Sequence, residues 1–224
     1  MQITIDSKVK GDFPDLKFLT AFIKDLRIKY EDAQLEALKR DVIREVKSKY
    51  NAESLKNVPS VRAYRDFFWR IGIDPTKTRP AAEALIRRIL LGNPLPKINT
   101  FVDSLNLASI KSEVAIASFD TDKIVGESII IRYANKDEEF YGIGMRKPLL
   151  LDGGEIVVSD KAGLIAIYPY RDCERTKITR NTHNALLVFC GVPGINFEKL
   201  HEAMNITLDF ITRFCGGSLA NGGG

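Results

Sequence analysis

The sequence predicts an α+β protein, on three observations. Helical spacing of apolar residues dominates 31–91, apolar runs separated by turn residues dominate 114–192, and one amphipathic stretch closes the pattern at 196–214. Helices and strands are segregated along the chain, unlike a regular βαβ winding. No internal repeat is visible.

Residues 2–9 (QITIDSKV) alternate and predict a strand. Residues 16–26 (LKFLTAFIKDL) predict a second strand, with a helix as the alternative. The period then changes. Leu35, Leu38, Val42, Val46 and Tyr50 recur at helical spacing between charged residues, so 31–50 is a surface helix with one buried stripe. Ser60 is placed as the N-cap of a helix ending near Gly72, with Val61, Tyr64, Phe68 and Ile71 inward. Trp69 belongs either to the core or to an exposed patch. Pro80 suits a first helical position and Gly92 a helix stop, which frames a helix over 80–91. Residues 97–112 are mixed and predict at most a short helix. Strands are expected at 114–120, 127–134, 139–145, 155–160, 163–170 and 185–192. Turn residues mark 135–137, 152–154 and 161–163. The final helix runs through Phe197, Leu200, Met204, Leu208, Ile211 and Phe214 to Gly216.

The 224 residues suit one compact domain, or one domain with a small helical appendage. The expected division is an N-terminal segment 1–55 packed on the main domain, an α+β domain 56–215, and a flexible Gly-rich tail 216–224. Mixed charges and no apolar run of roughly 20 residues predict a soluble protein that does not span a membrane. The N-terminus lacks a signal-peptide pattern, so the cytoplasm is the expected location. Net charge is +4, a mild lean toward a polyanionic partner. Cys173, Cys190 and Cys215 are odd in number and far apart, which predicts reduced thiols and no zinc site. His183 and His201 are the only histidines, too few for a His-rich metal site, and no metal or cofactor is expected. His183 reads as a turn-stabilising residue, His201 as a surface residue and Cys173 as a small polar filler. Phosphate loops, dinucleotide fingerprints, nucleophile elbows and zinc-protease motifs are missing from the sequence.

Three polar clusters remain. Arg62 and Arg65 follow Ser60 on one helix face and could clamp a phosphate or carboxylate; a solvated basic face is the alternative. Asn99, Asp103 and Asn106 share a face if their segment is helical, and either line a cleft or cap and anchor a loop. Residues 168–179 gather Tyr168, Tyr170, Arg171, Asp172, Glu174, Arg175 and Thr176 between two strands. That link is longer than a tight hairpin needs, and polar loops of this kind often carry binding residues. A salt-bridged turn is the alternative.

Read in order, Thr78-Arg79-Pro80, Arg88, Gly92 through Asn99, Val102-Asp103, Leu151 through Asp160, Arg171-Asp172, Arg175-Thr176 and Ile178-Thr179 resemble a known family. It is the editing domain of the phenylalanyl-tRNA synthetase beta subunit, its third and fourth B modules, above all in stand-alone form. The likeness spans roughly residues 55–215. It implies a mixed sheet with flanking helices and a central pocket that hydrolyses tRNA charged with the wrong amino acid. Such a second site supplies discrimination that binding alone cannot. Two places depart from the synthetase pattern. Ile110 stands where a pocket histidine is expected, and 170–176 lacks the glycines of the turn that carries a pocket glutamate.

The resemblance implies a tRNA 3′-aminoacyl end as partner, with the amino-acid moiety in the pocket. Asp172 would orient water or the substrate amino group, while Asn99 and Thr176 donate or accept hydrogen bonds near the ester. Arg62, Arg65 and Arg175 would hold terminal phosphates or ribose, and Tyr141 and Tyr168 would stack on the terminal adenine. Asp103, Asn106, Arg171 and Glu174 complete the expected substrate-binding set. A binding module of the same fold without catalysis, and a hydrolase of another small acylated metabolite, are the competing readings.

Overall fold

The computed structural model describes residues 1–220. The architecture is α+β, with a mixed sheet and flanking helices. The strand expected over 2–9 divides in two. β1 (Gln2–Ile5) ends at Asp6, whose carboxylate accepts the Lys8 N–H at 2.9 Å and opens a short helix α1 (Ser7–Asp12). β2 (Lys17–Leu26) is a strand, which settles the alternative left by its sequence. α2 (Ala33–Lys49) is capped by Asp32 and buries Leu35, Val42 and Val46.

α3 (Pro59–Arg70) begins one residue before the expected cap. Pro59 occupies its first turn, so Ser60 lies inside the helix. Proline fits there because the first turn has no use for its missing N–H. Trp69 is 56% exposed, which places it on the surface. α4 (Ala81–Leu90) takes Pro80 as its cap, and Gly92 follows with φ of +77°. α5 (Thr100–Ser112) is far longer than the short helix expected, and α6 (Phe197–Cys215) closes the helical set.

The remaining strands are β3 (Ala115–Asp120), β4 (Ser128–Tyr133), β5 (Glu139–Phe140), β6 (Leu149–Leu150), β7 (Ile156–Asp160), β8 (Gly163–Ile167), β9 (Arg171–Asp172), β10 (Ala185–Gly191) and β11 (Gly216–Leu219). They form two sheets and a ribbon. One sheet has the order β1-β4-β7-β8-β9 and is mixed, because β1 runs parallel to β4 while its other pairs are antiparallel. The other is antiparallel, ordered β11-β2-β10-β3, and β5 pairs β6 separately. Every residue of β10 is buried, as expected of a central strand covered on both faces.

The N-terminal residues are woven into both sheets. β2 pairs β10 from Lys17↔Gly191 to Ile23↔Ala185, and β1 pairs β4. The expected strand over 139–145 shrinks to Glu139–Phe140 followed by a loop. The tail expected from residue 216 begins as an ordered edge strand. At Gly217 a Cβ would meet the Lys24 carbonyl oxygen at 2.7 Å, so only glycine lets β11 lie this close to β2. Residues 221–224 of that tail lie outside the described residues. Among the described residues no helix is long and apolar enough to cross a membrane.

The two sheets meet through β3 and β9, each at the edge of its own sheet. Ser118 on β3 donates its backbone N–H to Asp172 Oδ2 on β9 at 3.2 Å. α3 anchors beside this seam. The Tyr64 hydroxyl donates to the Cys190 carbonyl at 2.5 Å and accepts the Ala115 N–H at 3.1 Å.

Candidate functional site

A cavity of about 410 Å³ opens at the seam. One wall is the N-terminal half of α5, with Val102, Leu105 and Asn106, preceded by Ile98. A second is β3 from Ala115 to Phe119. The third is the corner from β8 into β9, residues 166–172, with Ile143 at the mouth. Most of this lining is hydrocarbon. The polar side chains are few: Asn106, Ser118, Tyr168, Tyr170, Arg171, Asp172, Lys177 and the Cys190 thiol. A pocket of this kind binds an apolar body and orients it with a few polar groups.

Asp172 is the one carboxylate in the lining. Its solvent contact is partial, and no ion pair is found for it among the described residues. Burial raises its carboxyl to about 7, against the smaller opposing effect of the Ser118 N–H. A carboxylate held neutral until near physiological pH is a common feature of functional sites. A cation from a ligand would supply the charge partner that the described residues do not.

The structure brings four of the sequence candidates to the cavity and places the others outside its lining. Asp172, Asn106, Tyr168 and Arg171 line it. Tyr168 is almost wholly buried, its hydroxyl donating to the Gly191 carbonyl at 2.7 Å, so it is a wall and offers no free ring for a base to stack on. Arg171 is exposed, with its guanidinium 5.3 Å from the centre of the Tyr170 ring.

Asn99 is absent from the lining; its side-chain oxygen caps α5, accepting the N–H groups of Phe101 at 3.1 Å and Val102 at 2.9 Å. Asp103 points into the protein and pairs with Lys39 of α2 at 2.7 Å. Arg65 pins α3 to α4 through Glu83 at 2.8 Å, and Arg62 is exposed near Asp66, 3.8 Å away. Arg175 makes a fork to Asp160 at 2.7 and 3.0 Å and also donates to the Lys123 carbonyl. Thr176 is fully buried, its hydroxyl 3.2 Å from the Cys173 thiol. Glu174 pairs with Lys177, and Tyr141 is exposed outside the lining. Asn99, Asp103, Arg65, Arg175, Thr176 and Glu174 already have protein partners, which leaves them little capacity for a ligand, whereas Arg62 and Tyr141 are exposed outside the lining.

Sequence reasoning missed Ile116, Ser118, Ile143 and Lys177, all in the lining. Ser118 had a legible signal, a lone polar residue in the apolar run VAIASFD. Ile110, which stands where a histidine is expected, is buried away from this cavity. His183 packs near the Leu26 carbonyl, Nδ1 to O 3.4 Å, and also lies outside the lining. Cys190 faces the cavity, but burial pushes its thiol up, so no thiolate nucleophile forms there near neutral pH. No cluster of three or more His, Cys, Asp or Glu side chains suited to a metal occurs among the described residues.

Gly142 fixes the mouth. It bridges Cys173, and Ile143 donates its N–H to the Asp172 carbonyl at 3.0 Å. A Cβ at Gly142 would lie 2.6 Å from Arg171 Cδ and 2.9 Å from the Phe140 ring. Gly142→Ala therefore displaces Arg171 and the strand end beside Asp172. The expected loss is about 1–3 kcal/mol of stability with weakened ligand binding. Thermal unfolding and a binding titration check both, and unchanged values would show that the mouth adapts.

Two sheets meeting at an apolar cavity with a single carboxylate in its wall define an α+β domain built around a small-ligand pocket. A family model described as the B3/4 domain matches residues 63–217, and the chain belongs to that family. It is 29% identical to the phenylalanine–tRNA ligase beta subunit of Mycoplasma genitalium over 117 residues, covering 52% of this chain and 14% of that protein. The corresponding subunit of Protochlamydia amoebophila is 22% identical over 171 residues, covering 76% and 19%. The chain thus spans less than a fifth of these relatives' length. An N-terminal fragment of the phenylalanyl-tRNA synthetase beta subunit from Pyrococcus horikoshii shares the fold, with a TM-score of 0.52 at 18% identity. That match covers 97% of this chain and 50% of the fragment.

Proposed function

We propose that this domain hydrolyses the ester of mischarged aminoacyl-tRNA, acting in trans on the tRNA 3′ end. The observation that carries the reading is Asp172, an unpaired carboxylate in the wall of an otherwise apolar cavity large enough for an amino-acid side chain. Membership of the B3/4 family and kinship to ligase beta subunits support a tRNA-related ligand.

The chemistry asks little of the protein. An aminoacyl ester is already activated, so positioning supplies much of the rate. Water adds to the acyl carbon, the bond to the ribose oxygen breaks, and that oxygen leaves with a proton, giving free amino acid and uncharged tRNA. Ionised Asp172 orients the water or the substrate ammonium, and the hydrocarbon walls exclude competing solvent. Arg171 at the lining, with no ion pair among the described residues, faces the polyanionic end of the ligand. This replaces Arg62, Arg65 and Arg175 as the phosphate contacts, since the last two are held in ion pairs.

The test is a panel of correctly and incorrectly charged tRNAs incubated with purified protein while ester loss is followed. Loss of at least one mischarged species well above the buffer rate is expected. No loss across the panel would overturn hydrolysis and leave a binding module.

A further inference from the structure

β3 faces the cavity with its edge. All five residues from Ala115 to Phe119 line it, although side chains of a strand alternate between faces. The ladder explains how. β3 pairs β10 on one side only, and no strand pairs its other side among the described residues. On that free side Ser118 donates its N–H to Asp172 Oδ2, and Asp120 donates to the Thr176 carbonyl at 2.8 Å. Antiparallel pairing alternates every second residue, so Ile116 turns its N–H and C=O the same way, as Ser118 does its C=O. No partner for the two Ile116 groups is found among the described residues. The register with β10 runs unbroken from Ala115 to Asp120, so the parity holds.

Unpaired main-chain groups inside an apolar pocket are costly unless a ligand or water completes them. Here they sit beside Asp172 and near Asn106, whose side-chain amide has no protein partner among the described residues.

We infer that the open edge of β3 reads the main-chain part of an α-aminoacyl group: the acyl carbonyl accepts the Ile116 N–H, and the α-ammonium is shared between Asp172 and the outward carbonyls of Ile116 and Ser118. This rests on the reading of the cavity as an acyl-group pocket, and it goes further by assigning the recognition to backbone. The main-chain pattern is common to all amino acids, while the hydrocarbon wall of Val102, Leu105 and Ile143 selects an apolar side chain.

The probe is an adenosine carrying the amino acid through a stable 3′-amide, prepared with alanyl, phenylalanyl and tyrosyl groups. Titrated into ¹⁵N-labelled protein, at least one should bind and move the Ile116 amide resonance. The matching probe without its α-amino group should bind at least about tenfold more weakly, the loss expected for a hydrogen-bonded charge. Ile116→Pro removes the outward N–H at an edge position that tolerates proline, and trims the side chain as well, which Ile116→Val controls for. It should weaken binding by about tenfold while Ile116→Val does not. Binding that leaves the Ile116 resonance unmoved, or that ignores the α-amino group, overturns the assignment, as does failure of every probe to bind. If the probes bind as described but no charged tRNA loses its ester, the hydrolytic reading fails and the strand-edge recognition stands.

Discussion

Asp172→Asn is expected to lower ester hydrolysis sharply and, at the same time, to stabilise the protein. The two effects share one cause. Burial against the walls of the cavity raises the carboxyl from 3.8 to about 7, so the folded protein retains a proton that the unfolded chain releases near pH 4. Between those values the native state binds more protons, and stability falls as pH rises until the folded group has also ionised. Above pH 7 the wild-type protein therefore holds an unpaired carboxylate at a cost. Asparagine keeps an oxygen for the Ser118 N–H and removes the charge. The gain at pH 8 is on the order of 2 kcal/mol once solvent reached through the cavity is allowed for, or roughly 5 °C in melting temperature. The gain should shrink on acidification and vanish near pH 4. Hydrolysis should fall at least about 100-fold, the usual scale for losing a positioned acid–base group. The wild-type kcat/KM should rise through about pH 7 while the residual activity of the variant does not. A variant that hydrolyses at the wild-type rate removes Asp172 from the mechanism. A variant no more stable at pH 8 than at pH 4, relative to wild type, would mean that the carboxylate is already solvated.

The legible parts of this molecule are those where chain-local patterns suffice. The stripe of α2, the Gly92 stop, the apolar run of β10 and the amphipathic α6 follow from period and punctuation. α5 was hidden because nearly its whole circumference is buried, polar Thr100, Asp103, Ser104, Ser109 and Ser112 included, so no amphipathic stripe marks it. β9 has only two residues and exists because β8 offers it an edge. The site shows the same division. The polar run 168–179 contains Asp172 and Arg171, which line the cavity. It could not separate them from Arg175 and Thr176, because the partners that occupy those two, Asp160 and Cys173, are matched only by the fold. Asn99 and Asn106 have the same chemistry in one segment. Asn99 stands just before the helix and caps it, while Asn106 lies within it and lines the cavity, so where the helix begins separates them. Backbone groups such as those of Ile116 carry no letter in a sequence at all; strand pairing exposes them.

Breaking the buried pair beneath that helix should have the largest effect on stability. Lys39 and Asp103 are 6% and 2% exposed, and their charged atoms lie 2.7 Å apart. Asp103 also accepts the Ile98 N–H at 3.0 Å, so one carboxylate ties α2 to α5 and holds the segment that forms a cavity wall. Lys39→Met keeps the hydrophobic stem and leaves the carboxylate buried without its cation. That costs about 3–5 kcal/mol, or a drop of roughly 10 °C in melting temperature. Adding Asp103→Asn should restore most of the loss, because the uncompensated charge is gone and an acceptor for Ile98 remains. The coupling between the two sites in a double-mutant cycle should then exceed about 2 kcal/mol. Ligand binding should weaken in Lys39→Met and recover with the second substitution, since the wall carrying Ile98 and Val102 loosens and then tightens again. A loss under about 1 kcal/mol for Lys39→Met would place the pair among ordinary surface contacts. Binding unchanged in the face of a large loss of stability would separate the anchoring of α5 from the shape of the cavity.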